Sequence, residues 1–288
     1  MKRWLTALLA AAVCIGGGKA YSQEAGQRTE AVSPGEATVC FATEGEADYT
    51  YQDDGLAITI KEYDEEGVVF FVCDVQIADA SHITTALSGD KVYGKTEKTG
   101  DIAARHGAVL AINGDDYGVH KNGTIIRNGE LIRAKKTTRH MLTIDQNGDF
   151  DVVIDRNEDP EALAERLMAA EIAQAFEFGP VLVLDGEAIS FDNGFKLIMT
   201  GDGVREPRTG IGQIGPLHYV VIVVDGRREG YSKGMSLSEF QQLFVRFGAQ
   251  IAFNLDGGGS TTLYFNGEIL NRPAQNAQRK VSDILMFY

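Results

Sequence analysis

The sequence predicts an α+β fold, a mixed β-sheet core with a few packed helices in a single compact domain. Three observations carry this expectation. The apolar runs are mostly short and rich in Val and Ile, the residue types that suit a pleated, buried surface. Thirty-three glycines against six prolines imply many tight turns. Only two long stretches join a capping residue to helical periodicity. At 288 residues with 44% hydrophobic content, the chain can bury one large core, and no internal repeat or long linker divides it.

Met1-Lys2-Arg3, the apolar stretch Trp4 to Ile15 and the small-residue region ending at Ala20-Tyr21-Ser22 match a secretory signal peptide over residues 1–22. Its apolar part is too short for a permanent membrane-spanning helix, so a secreted or cell-envelope location without a transmembrane anchor is expected. Removing it takes away Lys2, Arg3 and Lys19 and no acid, moving the formal net charge from -14 to -17, a surface that repels nucleic acid. Cys14 leaves with it, so Cys40 and Cys73 either pair or remain free. Residues 23–50 form a polar lead-in, and the domain is expected over 51–288.

Ala57 to Tyr63 and Val68 to Ile77 read as a hairpin around Asp64-Glu65-Glu66-Gly67. A short helix near Asp101 to His106 leads into a strand at Ala108 to Asn113. Leu142 to Ile144 and Phe150 to Ile154 flank Asn147-Gly148, a tight hairpin turn. Asp159 caps a helix predicted over Pro160 to Phe176, with Leu163, Leu167, Ala170 and Ile172 on its apolar face and Gly179-Pro180 after it. Val181 to Leu184 and Tyr219 to Val224 read as buried strands. Ser236 and Glu239 form a capping box for a helix to Phe247.

The densest chemistry follows the apolar run Gln250 to Phe253, in Asn254-Leu255-Asp256-Gly257-Gly258-Gly259-Ser260-Thr261. Alternation puts Asn254 and Asp256 on one face, opposite Phe253 and Leu255. Three glycines let backbone amides approach a ligand, and the hydroxyls of Ser260 and Thr261 lie just beyond. Ala111-Ile112-Asn113-Gly114 and Val223-Val224-Asp225-Gly226 repeat the pattern of an apolar strand ending in Asn or Asp before glycine. Neighbouring strands running the same way would gather these ends in one crevice. Arg208, Arg227 and Arg279 stand beside these motifs in an acidic chain, and a guanidinium fork suits phosphate. No phosphate-binding loop, nucleophile elbow or metal-protease motif is present, and none of the five histidines has metal-ligand spacing.

Ala111 to Gly114, Phe178 to Leu182, Pro207-Arg208-Thr209-Gly210-Ile211-Gly212, Val224 to Arg227, Tyr231-Ser232-Lys233-Gly234-Met235 and Asn254 to Thr262 occur in this order. The set resembles the phosphodiester glycosidase family, which includes a lysosomal N-acetylglucosamine-1-phosphodiester alpha-N-acetylglucosaminidase and bacterial exported proteins related to exopolysaccharide. The resemblance implies a hydrolase that cleaves the glycosidic bond of a sugar-1-phosphodiester, either an N-acetylglucosamine-1-phosphodiester or a cell-wall or capsule glycan. By motif position it implies that Asn113, Arg208, Asp225, Arg227, Ser232, Asn254, Asp256 and glycines 257 to 259 line the site; Asp256, Asp225 and Arg208 are the expected catalytic residues, Arg208 holding the phosphate with the glycine amides and Ser260. Asn113, Gly114, Asp116, Thr209, Arg227, Ser232, Asn254, Gly257, Gly258, Gly259, Ser260, Thr261 and Arg279 would bind substrate. Many relatives have a glycine and aromatic residues after the Asn-Gly pair, where this chain has Asp115-Asp116-Tyr117.

A phosphodiester is a good leaving group, so the expected task is to stabilise an oxocarbenium-like sugar and the departing phosphate. Asp256 would act at the sugar carbon as nucleophile or as base for water. Asp225 would be the second carboxylate or orient Arg227. The sequence requires no cofactor. Two other readings compete. In one, Asp115, Asp116, Asp225 and Asp256 hold Mg²⁺ or Ca²⁺ in a phosphodiesterase attacking phosphorus; in the other, the protein binds glycans without turnover.

Overall fold

The computed structural model describes residues 47–191, 203–274 and 276–288. The leader, Cys40 and most of the lead-in lie outside the described residues. The α+β expectation holds, but among the described residues every neighbouring strand pair is antiparallel, where a mixed sheet was expected.

The first hairpin forms as expected, from the strands Leu56–Glu65 and Val68–Ile77. Glu66 and Gly67 make its turn, both at positive φ. Val68–Ile77 lies inside an eight-stranded sheet and is buried on both faces, which explains its unbroken apolar run. Val69, Phe71, Cys73 and Val75 face one core, while Val68, Phe70 and Val72 face another. Cys73 is a buried free thiol, and burial pushes its pKa up.

In spatial order the eight strands are Tyr49–Gln52, Leu56–Glu65, Val68–Ile77, His218–Val224, Arg208–Gly215, Ile251–Asn254, Val181–Leu184 and Glu187–Ala188. The inner face meets two five-stranded sheets. One is built around Met141–Asp145 and Ile172–Glu177, the other around Leu110–Asn113 and Asp283–Phe287. Ile211, Val221 and Phe253 meet Leu110, Leu142, Phe176 and Leu285 in the largest core.

Each helix covers an outer face. Leu237–Arg246 buries Phe240 and Phe244 on the eight-stranded sheet, Pro160–Ala169 buries Leu163 and Leu167 on the second, and Thr99–Arg105 buries Ile102 and Ala103 on the third. The capping box of Ser236 and Glu239 is present. Glycines 210 and 212 let the helix Leu237–Arg246 sit close: a Cβ on Gly210 would lie 3.0 Å from the Phe240 ring, and one on Gly212 would lie 3.1 Å from Phe244 Cδ1. Among the described residues no helix is long and apolar enough to cross a membrane.

One element differs from its sequence expectation. The helix beginning at Pro160 ends at Ala169, and Ile172–Glu177 is a strand. Glu171, at φ 54°, turns the chain between them. Ile172, counted on the helix face, begins the strand and packs on the same outer core as Leu163 and Leu167.

Candidate functional site

The strands His218–Val224 and Ile251–Asn254 end on the same edge of the large sheet, where Arg208–Gly215, antiparallel to both, begins between them. The expected third member, Leu110–Asn113, belongs to a different sheet, and its end reaches this place from across the core. Asn113 makes the junction. Its Nδ2 donates to the Asp256 carbonyl at 2.6 Å, and its Oδ1 accepts from Thr209 Oγ1 at 2.9 Å and Thr262 N at 3.2 Å. Gly114 is packed so tightly that a Cβ would come within 2.3 Å of Asp283 Oδ1.

At this junction opens a crevice of about 360 Å³, within the range of small-ligand sites. Of the residues singled out in the sequence, Asp115, Asp116, Arg208, Arg227, Asn254, Asp256, Gly257, Gly258, Gly259, Ser260 and Arg279 line it. Asn113, Gly114, Thr209, Asp225, Ser232 and Thr261 are not among its lining residues. Asn113 and Thr209 act on the backbone behind the wall, and Thr261 is buried beside them.

Asp225 is 1% exposed and wholly engaged. Its carboxylate accepts from Tyr231 Oη at 2.9 Å, Asn271 Nδ2 at 3.0 Å and the Arg272 amide at 2.9 Å. Burial pushes its pKa up, and these bonds oppose the shift. Ser232 donates to the Asp225 carbonyl at 2.6 Å and accepts from Val69 N at 3.0 Å. The geometry gives this pair the bracing of the turn that carries Arg227.

Asp256 sits in the wall with one oxygen tethered. Oδ2 accepts from Ser260 Oγ at 2.5 Å and Arg279 Nη2 at 3.0 Å, while Oδ1 has no hydrogen-bond partner among the described residues. Burial raises the Asp256 pKa, Ser260 and Arg279 oppose this, and the charge of Asp116 adds to the rise. Arg279 also donates Nε to Ser260 Oγ at 2.8 Å and passes alongside Gly259.

Arg227, held at φ 58°, pairs through Nε with Glu206. A Cβ on Gly258 would lie 3.2 Å from Arg227 Nη2. The triple glycine therefore runs between two guanidinium groups. Arg208 is buried, donating to the carbonyls of Met235 at 3.0 Å and Val204 at 2.9 Å.

Three residues that complete the site, Glu206, Arg139 and Arg127, went unread in the sequence, whereas Phe178 belongs to the motif Phe178 to Leu182. Glu206 and Phe178 line the crevice, as does Arg139, whose fork meets the Asp116 carboxylate at 2.5 and 3.2 Å and lies over the Phe178 ring at 5.3 Å. Arg127, beneath, bridges Asp115 at 2.8 Å and Asp283 at 2.6 Å with all three side chains buried, its guanidinium 4.1 Å from the Phe176 ring centroid. Both arginines carry a sequence signal: Arg127 ends the apolar run Ile125-Ile126, and Arg139 precedes Met141–Asp145 as Arg208 opens its strand.

Of the four aspartates expected to gather a cation, Asp115, Asp116 and Asp256 reach the crevice, but the set is not assembled. Asp225 lies behind the wall, and Asp115 is spent on Arg127 and on the amides of Tyr117 and Glu177. Among the described residues, no three His, Cys, Asp or Glu side chains are arranged to hold a metal ion.

Glu177, just before the crevice residues Phe178 and Gly179, accepts from Thr124 N at 2.7 Å and Arg156 Nη2 at 2.6 Å through Oε1, while its buried Oε2 is unpartnered. Burial pushes its pKa to about 7 from the ordinary 4.5, against the pull of Arg156. The folded protein therefore holds this proton where the unfolded chain has released it, so the contribution of Glu177 to stability falls as pH rises from about 4.5 to about 7. In urea unfolding at a series of pH values, the wild-type free energy minus that of Glu177→Gln should drop by roughly 1–3 kcal/mol between pH 5 and 7.5. Buried His140, pushed down to about 4, slopes the other way but cancels in the difference. Parallel curves would show that Glu177 does not titrate there.

Comparison with known proteins follows the same region. A family profile described as phosphodiester glycosidase matches residues 106–288. The chain is 30% identical over 193 residues, 64% of its length, to the SPbeta prophage-derived uncharacterized protein YomE of Bacillus subtilis, and spans 28% of that protein. Its fold is similar to the catalytic domain of zebrafish N-acetylglucosamine-1-phosphodiester alpha-N-acetylglucosaminidase, auto-inhibited by its pro-peptide, with a TM-score of 0.63 and 19% identity over 81% of this chain and 82% of that one. A hypothetical protein from Synechocystis gives a TM-score of 0.63 with 17% identity, over 81% of this chain and 62% of that one.

Proposed function

Because the chain belongs to the phosphodiester glycosidase family, we propose that it is a glycosidase-type hydrolase of a sugar-1-phosphodiester, breaking the bond between the anomeric carbon and the phosphate oxygen. The observation that carries this reading is Asp256: a carboxylate with one oxygen held by Ser260 and Arg279, at the head of a glycine run between two arginines. The amides of Gly257 and Gly259, with Arg227 and Arg279, suit the phosphate, while the Gly258 amide is held by the Pro207 carbonyl at 2.9 Å. Asn254, whose Oδ1 is buried without a partner, faces the same crevice and suits a sugar donor group.

As the bond breaks, its electron pair stays on the phosphate oxygen, where the arginines meet the growing charge. Asp256 stabilises positive charge at the sugar carbon and either attacks it or takes the proton of the attacking water. Water supplies the new hydroxyl, and the phosphate remains on its former partner. Asp225, behind the wall, serves as a brace in this reading, and Asp116 is the carboxylate beside Asp256. The leader read at residues 1–22 supports export, and a glycan of the cell envelope suits that location.

The test is hydrolysis of an N-acetylglucosamine-alpha-1-phosphodiester in ¹⁸O-water. Label is expected in the released sugar. Label in the phosphate, with activity lost in chelator, would instead establish a metal-dependent attack on phosphorus.

A further inference from the structure

We propose that Glu206 is a specificity-determining residue: it sets the phosphate end of the crevice to prefer a singly charged phosphodiester over a doubly charged phosphomonoester. This rests on the reading that the glycine run holds phosphate.

The starting observation is that neither arginine flanking the run meets a ligand as a bare cation. Arg227 carries Glu206 on its Nε, and Arg279 carries Asp256 on Nη2. With Glu206 on its Nε, Arg227 offers a ligand less than a full positive charge. A phosphodiester holds one negative charge at neutral pH. A phosphomonoester, whose second pKa is near 6, holds nearly two.

Glu206 can act this way because both ends of its ion pair sit on fixed backbone. The Glu206 amide and carbonyl bond those of Met235 at 3.1 and 3.0 Å. Arg227 follows Gly226, where a Cβ would lie 2.8 Å from the Gly234 Cα and 2.9 Å from Pro207 N. Arg227 is held in left-handed backbone, a costly state for a bulky side chain that directs its guanidinium over Gly258. The ion pair is therefore anchored by backbone at both ends. The carboxylate attenuates the pull of Arg227 on any anion, and the second charge of a monoester meets it as repulsion. Asp256 is committed to the sugar carbon and Asp116 is forked onto Arg139, which leaves Glu206 as the carboxylate facing the phosphate side.

The same arrangement favours turnover. Cleavage of the sugar bond converts the diester into a monoester on the departing group, and the new charge lowers its affinity for the site.

The test is equilibrium binding at pH 8.5 of two uncleavable ligands, the methylene phosphonate analogue of N-acetylglucosamine 1-phosphate and its monomethyl ester. Wild type should favour the singly charged ester by about tenfold or more. Glu206→Gln keeps an acceptor for Arg227 Nε and removes the charge, and should reduce that preference about tenfold, mainly by tightening the dianion. An unchanged ratio, or equal weakening of both ligands, overturns the proposal. If neither ligand binds wild type, the phosphate assignment falls with it. If the ratio shifts as expected but no sugar phosphodiester is hydrolysed, the role of Glu206 stands and the catalytic reading fails alone.

Discussion

Replacing Asp256 by asparagine should lower kcat on a sugar-1-phosphodiester by about 10³–10⁴-fold with a much smaller change in substrate affinity. Asparagine has the same shape and still offers Ser260 and Arg279 an oxygen, so the wall of the crevice is preserved. What disappears is the charge that meets the cationic sugar, together with the capacity to attack it or to take a proton from water. The raised pKa of Asp256 makes it a better proton acceptor than an exposed carboxylate, and the substitution removes that as well. Steady-state kinetics beside a thermal melt would check it. A variant that melts normally and retains more than about a tenth of wild-type kcat would move the chemistry to another residue, Asp116 first.

Arg127 carries the largest expected effect on stability. Arg127→Met should cost about 3–5 kcal/mol at pH 7.5 by urea unfolding, because Asp115 and Asp283 would remain buried without their shared counter-charge. The methionine would still fill part of the space against Phe176, so most of the loss is electrostatic. Burial already pushes the Asp283 carboxyl up, with Arg127 opposing. Without the guanidinium, the Asp283 carboxyl should take up a proton more readily, and the deficit should shrink at pH 5. A loss below about 1 kcal/mol, or one independent of pH, would show that this buried cluster is not held by charge pairing.

The parts of the site legible in the sequence were those written in a single strand. Asn254 and Asp256 reach one crevice because alternation places them there, and the glycines follow directly. Asp225 carries a similar local signature, yet its carboxylate turns to Tyr231, Asn271 and the Arg272 amide. Nothing in Val224-Asp225-Gly226 reveals those partners, two of which arrive from more than forty residues away. The same holds for Arg139 and Asp116, paired across 23 positions, and for Arg127, whose two carboxylates lie 12 and 156 positions away. The shortened helix has a local cause. Leu163, Leu167, Ala170 and Ile172 fit a helical face, and the left-handed turn at Glu171 has no glycine to announce it.

The strand pairing beside the crevice also bears on where this domain begins. Val68–Ile77 registers along His218–Val224 residue for residue, and Val69 bonds both Asp225 and Ser232, which brace the Arg227 turn. The family match starts only at residue 106. A chain cut to that match would leave His218–Val224 as a bare apolar edge, open to pairing with another molecule, and would strip the support from one of the two arginines that flank the glycine run. The start of the family match at residue 106 is therefore not the edge of the sheet that carries the Arg227 turn.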